Sequence, residues 1–79
     1  MYGAWADGWW FHYPVGIIGS LPRLAFRFDT PGGTQWAELR ITSSIHFDVV
    51  KTIVLESDSI WVNWDSSGNV YIITGYKNF

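Results

Sequence analysis

The chain has 79 residues, no cysteine, five Lys or Arg against seven Asp or Glu, and a formal net charge of −2. This length leaves room for one domain, and the lack of cysteine excludes a disulfide framework and a cysteine-based zinc site. Aromatic residues make up 19% of the chain and charged residues only 15%, a composition that excludes disorder and a coiled coil.

The charged residues occur singly and form neither a basic nor an acidic run. Nucleic-acid-binding proteins usually carry a basic patch, because contacts to phosphate supply much of their affinity, and a mimic of DNA would need a dense acidic face. The sequence also lacks an apolar run of about 20 residues and a signal-peptide pattern. We therefore expect a cytoplasmic protein that has no membrane partner and does not favour nucleic acid.

Runs rich in Val, Ile, Thr, Trp, Tyr and Phe alternate with Pro/Gly clusters and polar clusters, which predicts strands joined by tight turns. No segment shows a convincing apolar pattern at i, i+3, i+4 and i+7, so no helix is predicted. The predicted fold is all-β, with residues 1–79 as a single small domain. We expect an antiparallel barrel or tight sandwich of five to six strands, of SH3-like or OB-like size, built as a meander of hairpins.

The N-terminal segment concentrates aromatic residues, and its stretch Asp-Gly-Trp-Trp-Phe-His-Tyr-Pro-Val covers residues 7–15. This stretch resembles the opening strand of Tudor-like and Agenet-like SH3 barrels, which often read Asp-Gly-x-Trp-(Phe/Tyr)-x-Ala-x-Val. The resemblance implies peptide recognition. It covers nine residues, departs from the pattern at its end, and assigns the chain to no family.

The next element is a hairpin around Thr30-Pro31-Gly32-Gly33, where Pro and Gly predict a type II turn with a positive φ at Gly32. This turn fixes a register in which one face is apolar and the other carries charged residues. On the charged face Arg27 lies opposite Trp36, and we expect a cation–π contact between them. The expected pairs are Thr30 with Gly33, Phe28 with Gln35, and Phe26 with Ala37.

The second half of the chain is predicted as a three-stranded meander that begins with a long strand, Ile45–Glu56. Its hairpin joins Ser59–Asp65 to Asn69–Tyr76 through a type I turn with Gly68 in the left-handed position. The expected pairs are Asp65 with Asn69, Trp64 with Val70, Val62 with Ile72, and Ile60 with Thr74.

This register gives the meander two apolar faces instead of one. The core face holds Phe47, Val49, Ile53, Leu55, Ile60, Val62, Trp64, Val70 and Ile72, and the second face carries Val54, Trp61, Tyr71 and Ile73. An antiparallel sheet with one solvated side should have a polar second face. We therefore expect the N-terminal segment, a second subunit or a ligand to cover it.

The sequence offers little catalytic chemistry. His46 and Asp48 share one face of the predicted strand, but no nucleophile or third ligand is placed beside them. His12 is interpreted as a half-buried histidine, and Asp65–Asn69 as a turn and not a calcium loop. We expect no enzymatic activity, no cofactor and no metal.

The aromatic residues carry the functional hypothesis, because six tryptophans would crowd a narrow barrel and some must lie at the surface. We expect a protein-interaction module that associates with itself or docks a protein partner, as an accessory, assembly or inhibitory subunit. A carbohydrate-binding module with a Trp/Tyr platform is the alternative, and single-stranded nucleic-acid binding is less favoured. The expected contact residues are Arg27, Trp36, Trp61, Asn63, Tyr71 and Ile73.

Overall fold

The computed structural model describes residues 2–78, which form six strands and one helix. The mostly β fold expected from the sequence is confirmed at this level. The elements are β1 Tyr2–Trp5, β2 Gly8–His12, β3 Arg23–Thr30, β4 Gly33–Leu39, α1 Ser44–Glu56, β5 Ser59–Trp64 and β6 Asn69–Tyr76.

Helix α1 occupies the segment that was predicted as a long strand, so that prediction is wrong. The segment is rich in β-branched residues, which favour strands when considered alone. The helix begins because the Ser43 side chain accepts a hydrogen bond from the backbone N–H of His46, 3.1 Å away. It is held in place because Val50 and Val54, one turn apart, are both buried against the sheet. Tertiary burial therefore outweighs local strand propensity here.

The strands form one mixed sheet in the order β1-β5-β6-β4-β3-β2. Every neighbouring pair is antiparallel except β4 and β6, which run parallel and share only two residue pairs. The sheet is not closed, since β1 and β2 lie at its two edges. It therefore consists of two antiparallel three-stranded halves, β1-β5-β6 and β4-β3-β2, joined by a short parallel contact.

The first hairpin has the predicted register, with Thr30 opposite Gly33, Phe28 opposite Gln35 and Phe26 opposite Ala37. The turn itself differs from the prediction. The positive φ lies at Gly33, at 115°, and not at Gly32. The alternation of apolar and charged residues along both strands is the same as predicted, because the loop length is unchanged.

The second hairpin agrees with its prediction only next to the turn. Gly68 has a φ of 83°, and Trp64 lies opposite Val70 as expected. Beyond that pair a β-bulge leaves Tyr71 as an extra residue, so Val62 lies opposite Ile73 instead of Ile72. Ile73 therefore packs against the core while Ile72 is exposed, the reverse of the prediction.

The core lies between α1 and one face of the sheet. Val54, expected on the second sheet face, belongs to this core, while Val49 and Leu55 of the predicted core face are exposed on α1. Phe28 and Trp64 come from different halves of the sheet, and their rings stack 4.4 Å apart at the centre of the core. The buried core cluster contains Leu24, Phe26, Phe28, Ala37, Val50, Val54, Ile60, Val62, Trp64 and Val70.

Candidate interaction surface

Each half of the sheet has an outer face, directed away from α1 and the core, and the two outer faces differ in chemistry. The β1–β5–β6 face carries Gly3, Trp5, Trp61, Asn63, Tyr71, Ile72, Thr74 and Tyr76. The β2–β3–β4 face carries Gly8, Trp10, His12, Arg23, Ala25, Arg27, Asp29, Thr34, Trp36 and Glu38.

The six residues predicted as contacts do not form one site. Arg27 and Trp36 lie opposite each other on the β2–β3–β4 face. Trp61 and Asn63 lie on the β1–β5–β6 face, and Tyr71 is the extra residue of the bulge in β6. Ile73 points to the core side and belongs to neither face.

Trp61 belongs to an aromatic cluster on the β1–β5–β6 face. The ring of Trp5, on the neighbouring strand, packs edge-on against Trp61 at 5.2 Å and against Tyr76 at 5.4 Å. Trp5 nevertheless remains 53% exposed and Tyr76 49% exposed. The N-terminal segment, one of the three expected covers, thus contacts Trp61 on this face but leaves much of the aromatic surface in solvent.

Gly3 gives the Trp61 ring its position. A Cβ atom at Gly3 would lie 2.8 Å from Cζ2 of Trp61 and 2.9 Å from Nδ2 of Asn63, closer than real Cβ contacts. The absence of a side chain therefore lets the indole lie against the β1 backbone. The Asn63 amide completes this contact by donating to the Tyr2 carbonyl at 3.4 Å.

The bulge adds to the apolar surface of this face. Tyr71 is the extra residue of the bulge, and Ile72, the next residue, lies opposite Asn63. Both are exposed. None of the residues of the β1–β5–β6 face is charged.

The β2–β3–β4 face is organised by ion pairs. Arg27 donates from Nη1 to Asp7 and from Nη2 to Asp29, each at 3.2 Å. Arg23 forms a second pair with Glu38 on the adjacent strand. The predicted cation–π contact of Arg27 with Trp36 is not formed, because the guanidinium is turned toward the two carboxylates; Arg23 instead lies 5.8 Å from the ring of Trp10.

The carboxylates around Arg27 influence each other. A hydrogen bond with Asp29 is the main cause that raises the pKa of Asp7 above its usual value, and desolvation adds to the rise. The charge of Arg27 acts in the opposite direction. The cluster is therefore a network of one guanidinium and two carboxylates on an exposed sheet face.

The described residues show no arrangement that favours catalysis. His46 lies on α1 and not on a strand, and its Nδ1 accepts from the Thr42 backbone N–H at 3.1 Å, so it is not oriented by Asp48. A cleft of about 810 Å³ lies between α1 and β6, where Ser57 donates to the Ile53 carbonyl. Among residues 2–78, no group of three or more His, Asp or Glu side chains could hold a metal ion.

Three exposed residues of the β1–β5–β6 face were missed by sequence reasoning. Trp5 was not placed because β1 pairs with β5, a contact between distant parts of the chain. Tyr76 lay within the predicted last strand but was assigned to neither face. Ile72 was assigned to the core because nothing in the local pattern marks the bulge. Four of the six tryptophans are exposed, in agreement with the expectation that the core cannot hold them all.

No helix in the described part of the chain has the length and apolar character needed to cross a membrane. The chain matches no protein-family model, and comparisons with curated proteins and with solved structures give no significant match. The functional interpretation therefore depends on the chemistry of the two outer faces.

Proposed function

We propose that this chain is a non-enzymatic protein-interaction module that associates with a second copy of itself through the β1–β5–β6 face. The observation that carries the proposal is the combination, on one face, of exposed Trp5, Tyr71, Ile72 and Tyr76 with no charged side chain. Tyr and Trp at the surface are typical anchors of protein contacts. A monomer gains no stability from leaving such groups in water.

A second copy is favoured as the partner because the face is neutral. In a two-fold interface the same patch meets itself, so any unpaired charge on it faces a like charge near the axis. The chain has a net charge of −2, so two copies repel each other weakly when they meet through surfaces that carry charged residues. The uncharged face is therefore the surface on which self-association costs least in electrostatic terms.

The size of the face indicates a weak dimer. A fully buried aromatic side chain contributes about 150–250 Å², so a half-exposed one offers roughly 100 Å². Four such residues provide on the order of 400 Å², below the ~800 Å² per partner of a standard interface. We expect a concentration-dependent dimer in which Trp61, Asn63 and Thr74 add to the contact.

The proposal includes a strongly curled, barrel-like sheet of SH3-like or OB-like size. Two features support it: β1 and β2 lie at opposite edges of the sheet yet are separated only by Ala6 and Asp7. Ala6 donates to the Ile60 carbonyl and Asp7 to the Arg27 carbonyl, both at 2.9 Å, so this link touches both halves. Such curling would direct the two outer faces to different sides of the molecule, and a dimer through one would leave the other free.

Sedimentation velocity over a range from micromolar to millimolar tests the proposal. The wild type should shift from monomer to dimer, and Ile72→Asp should remain monomeric because its new charge would meet its own copy. Trp36→Asp is the matched control, since Trp36 and Ile72 are each 49% exposed but lie on different faces. A wild type that stays monomeric, or a control that abolishes the dimer equally, would contradict the proposal.

The same samples distinguish the alternative ligand class. A monomeric chain whose tryptophan fluorescence changes on titration with oligosaccharides would replace this proposal with carbohydrate binding at the aromatic face. Unchanged fluorescence together with a dimer would support self-association.

A further inference from the structure

The loop between β2 and β3, residues 13–22, is the longest connection in the described part of the chain and contains no charged residue. It reads Tyr-Pro-Val-Gly-Ile-Ile-Gly-Ser-Leu-Pro. Hairpin loops usually have two to five residues, and longer ones commonly serve a function. This loop lies apart from the β1–β5–β6 face, on the other half of the sheet.

Two successive turns present aliphatic side chains at the tip of the loop. The Ile17 N–H donates to the Pro14 carbonyl at 3.2 Å, and the Ser20 N–H donates to the Ile17 carbonyl at 3.4 Å. Gly19, with a φ of 84°, closes the second turn and leaves Ile18 fully exposed. Val15 is 85% exposed, so the tip projects aliphatic groups into solvent.

Aromatic rings lie at the base of the loop. Tyr13 packs against Phe47 of α1 at 6.0 Å, and Phe11 meets the same ring at 5.6 Å. Tyrosine is favoured where an apolar environment borders water, because its ring is apolar and its hydroxyl is polar.

Basic residues follow behind the aromatic rings. Arg23 and Arg40 line the cleft beside Leu21 and Pro22, and the Lys51 amino group lies 5.4 Å from the ring of Phe47. Arg23 begins β3, whose eight residues span roughly 25 Å. Arg23 is paired with Glu38, and the Lys51 amino group lies 3.8 Å from the Asp48 carboxylate, so Arg40 is the cation at this end without a carboxylate at ion-pair distance among the described residues.

We propose that residues 13–22 insert into the surface of a lipid bilayer that contains anionic lipids. The aliphatic tip enters the boundary of the acyl chains, Tyr13 lies at the level of the headgroups, and Arg40 lies near the phosphates. The order of aliphatic tip, aromatic ring and cation matches the order of acyl chains, headgroups and phosphates at a bilayer surface. A fluid surface can also accept side chains that project from the tip of a loop. The expectation of no membrane partner considered only spanning segments, which surface insertion does not require.

Flotation with vesicles of phosphatidylcholine and phosphatidylserine tests the insertion. The double variant Ile17→Ser/Ile18→Ser should lower the partition coefficient at least about tenfold, because two aliphatic side chains are lost from the apolar layer. Val49→Ser/Leu55→Ser is the matched control, since it removes exposed aliphatic groups from α1 and should bind as the wild type does. Circular dichroism checks that each variant remains folded.

The charge component is tested with Arg40→Gln, which should bind anionic vesicles about fivefold more weakly and leave binding to pure phosphatidylcholine unchanged. Ile72→Asp should bind vesicles as the wild type does, which separates this inference from self-association. A wild type that does not float with anionic vesicles would overturn the proposal. The proposal would also be overturned if Ile17→Ser/Ile18→Ser floated as well as the wild type. If that variant lost dimerisation while its vesicle binding was unchanged, the loop would contact protein and not lipid.

Discussion

The outer tryptophans have different surroundings in the two halves of the sheet. On the β2–β3–β4 face, Trp10 and Trp36 stand among Arg23, Arg27 and their carboxylate partners. On the β1–β5–β6 face, which carries no charged residue, Trp5 packs against Trp61 and Tyr76. Ion pairs keep the β2–β3–β4 face hydrated, whereas the β1–β5–β6 face has no charged side chain. Two outer tryptophans on each face therefore lie among ion pairs in one half of the sheet and among uncharged residues in the other, and the uncharged face is the one we propose as the interface.

The largest expected effect concerns the glycines of the two faces. Gly3→Ala should lower the free energy of unfolding by about 1–3 kcal/mol, because its Cβ would press on the Trp61 ring. Gly8→Ala should change it by less than about 0.5 kcal/mol, since the new Cβ would lie at an ordinary 3.7 Å from Arg27. Urea titrations of both variants measure the difference. Equal losses would show that the indole does not lie tightly against β1.

The ion pairs of the β2–β3–β4 face provide the next comparison. Arg27→Met removes hydrogen bonds to Asp7 and Asp29, both exposed, and should cost no more than about 1 kcal/mol. The dimer dissociation constant should not change, because the substitution lies on the other face. Urea titration and sedimentation of the same sample check both statements. If the variant associated more strongly than the wild type, these charges would be shown to prevent a second aromatic contact through the β2–β3–β4 face.

The turns of the two halves should respond differently to acid. Backbone N–H groups of Asn69 and Ser67 donate to Asp65 and lower its pKa below the usual value. This group therefore stabilises the fold above its unfolded pKa, and the contribution is lost as pH falls through the lowered folded value. Asp65→Ala should remove that part of the acid dependence of the melting temperature. Thr30→Ala, which removes a hydroxyl that donates to the Gly33 carbonyl in the other turn, should leave it unchanged.

The smallest effect is expected from salt. Because the β1–β5–β6 face carries no charge, raising sodium chloride should not weaken the dimer. Sedimentation at low and high salt measures this directly. Dissociation at high salt would point to an interface on the ion-paired face.

The sequence predicted the structure well where the controlling contacts are local. The turn at Thr30–Gly33 fixes the register of β3 and β4 within a few residues, and that register is correct. The Ile45–Glu56 prediction failed because its β-branched residues favour a strand, while the Ser43 cap and the burial of Val50 and Val54 decide for a helix.

The candidate surface could be predicted only in part. The positions of Trp61 and Asn63 follow from simple alternation along β5, and both lie on the outer face. The bulge at Tyr71 places Ile72 and Ile73 on the faces opposite to those predicted, because one extra residue moves all later side chains to the other face. Trp5 could not be placed at all, since the pairing of β1 with β5 joins segments about 60 residues apart.

Cross-linking through single cysteines tests the central claim most directly, and the chain has no cysteine of its own to interfere. Thr74→Cys introduces the thiol on the β1–β5–β6 face and Thr34→Cys on the β2–β3–β4 face, so two threonine positions are compared. With a short bis-maleimide, Thr74→Cys should give a covalent dimer and Thr34→Cys should remain monomeric. Dimers from Thr34→Cys alone, or equal yields from both, would contradict the assignment of the β1–β5–β6 face as the interface.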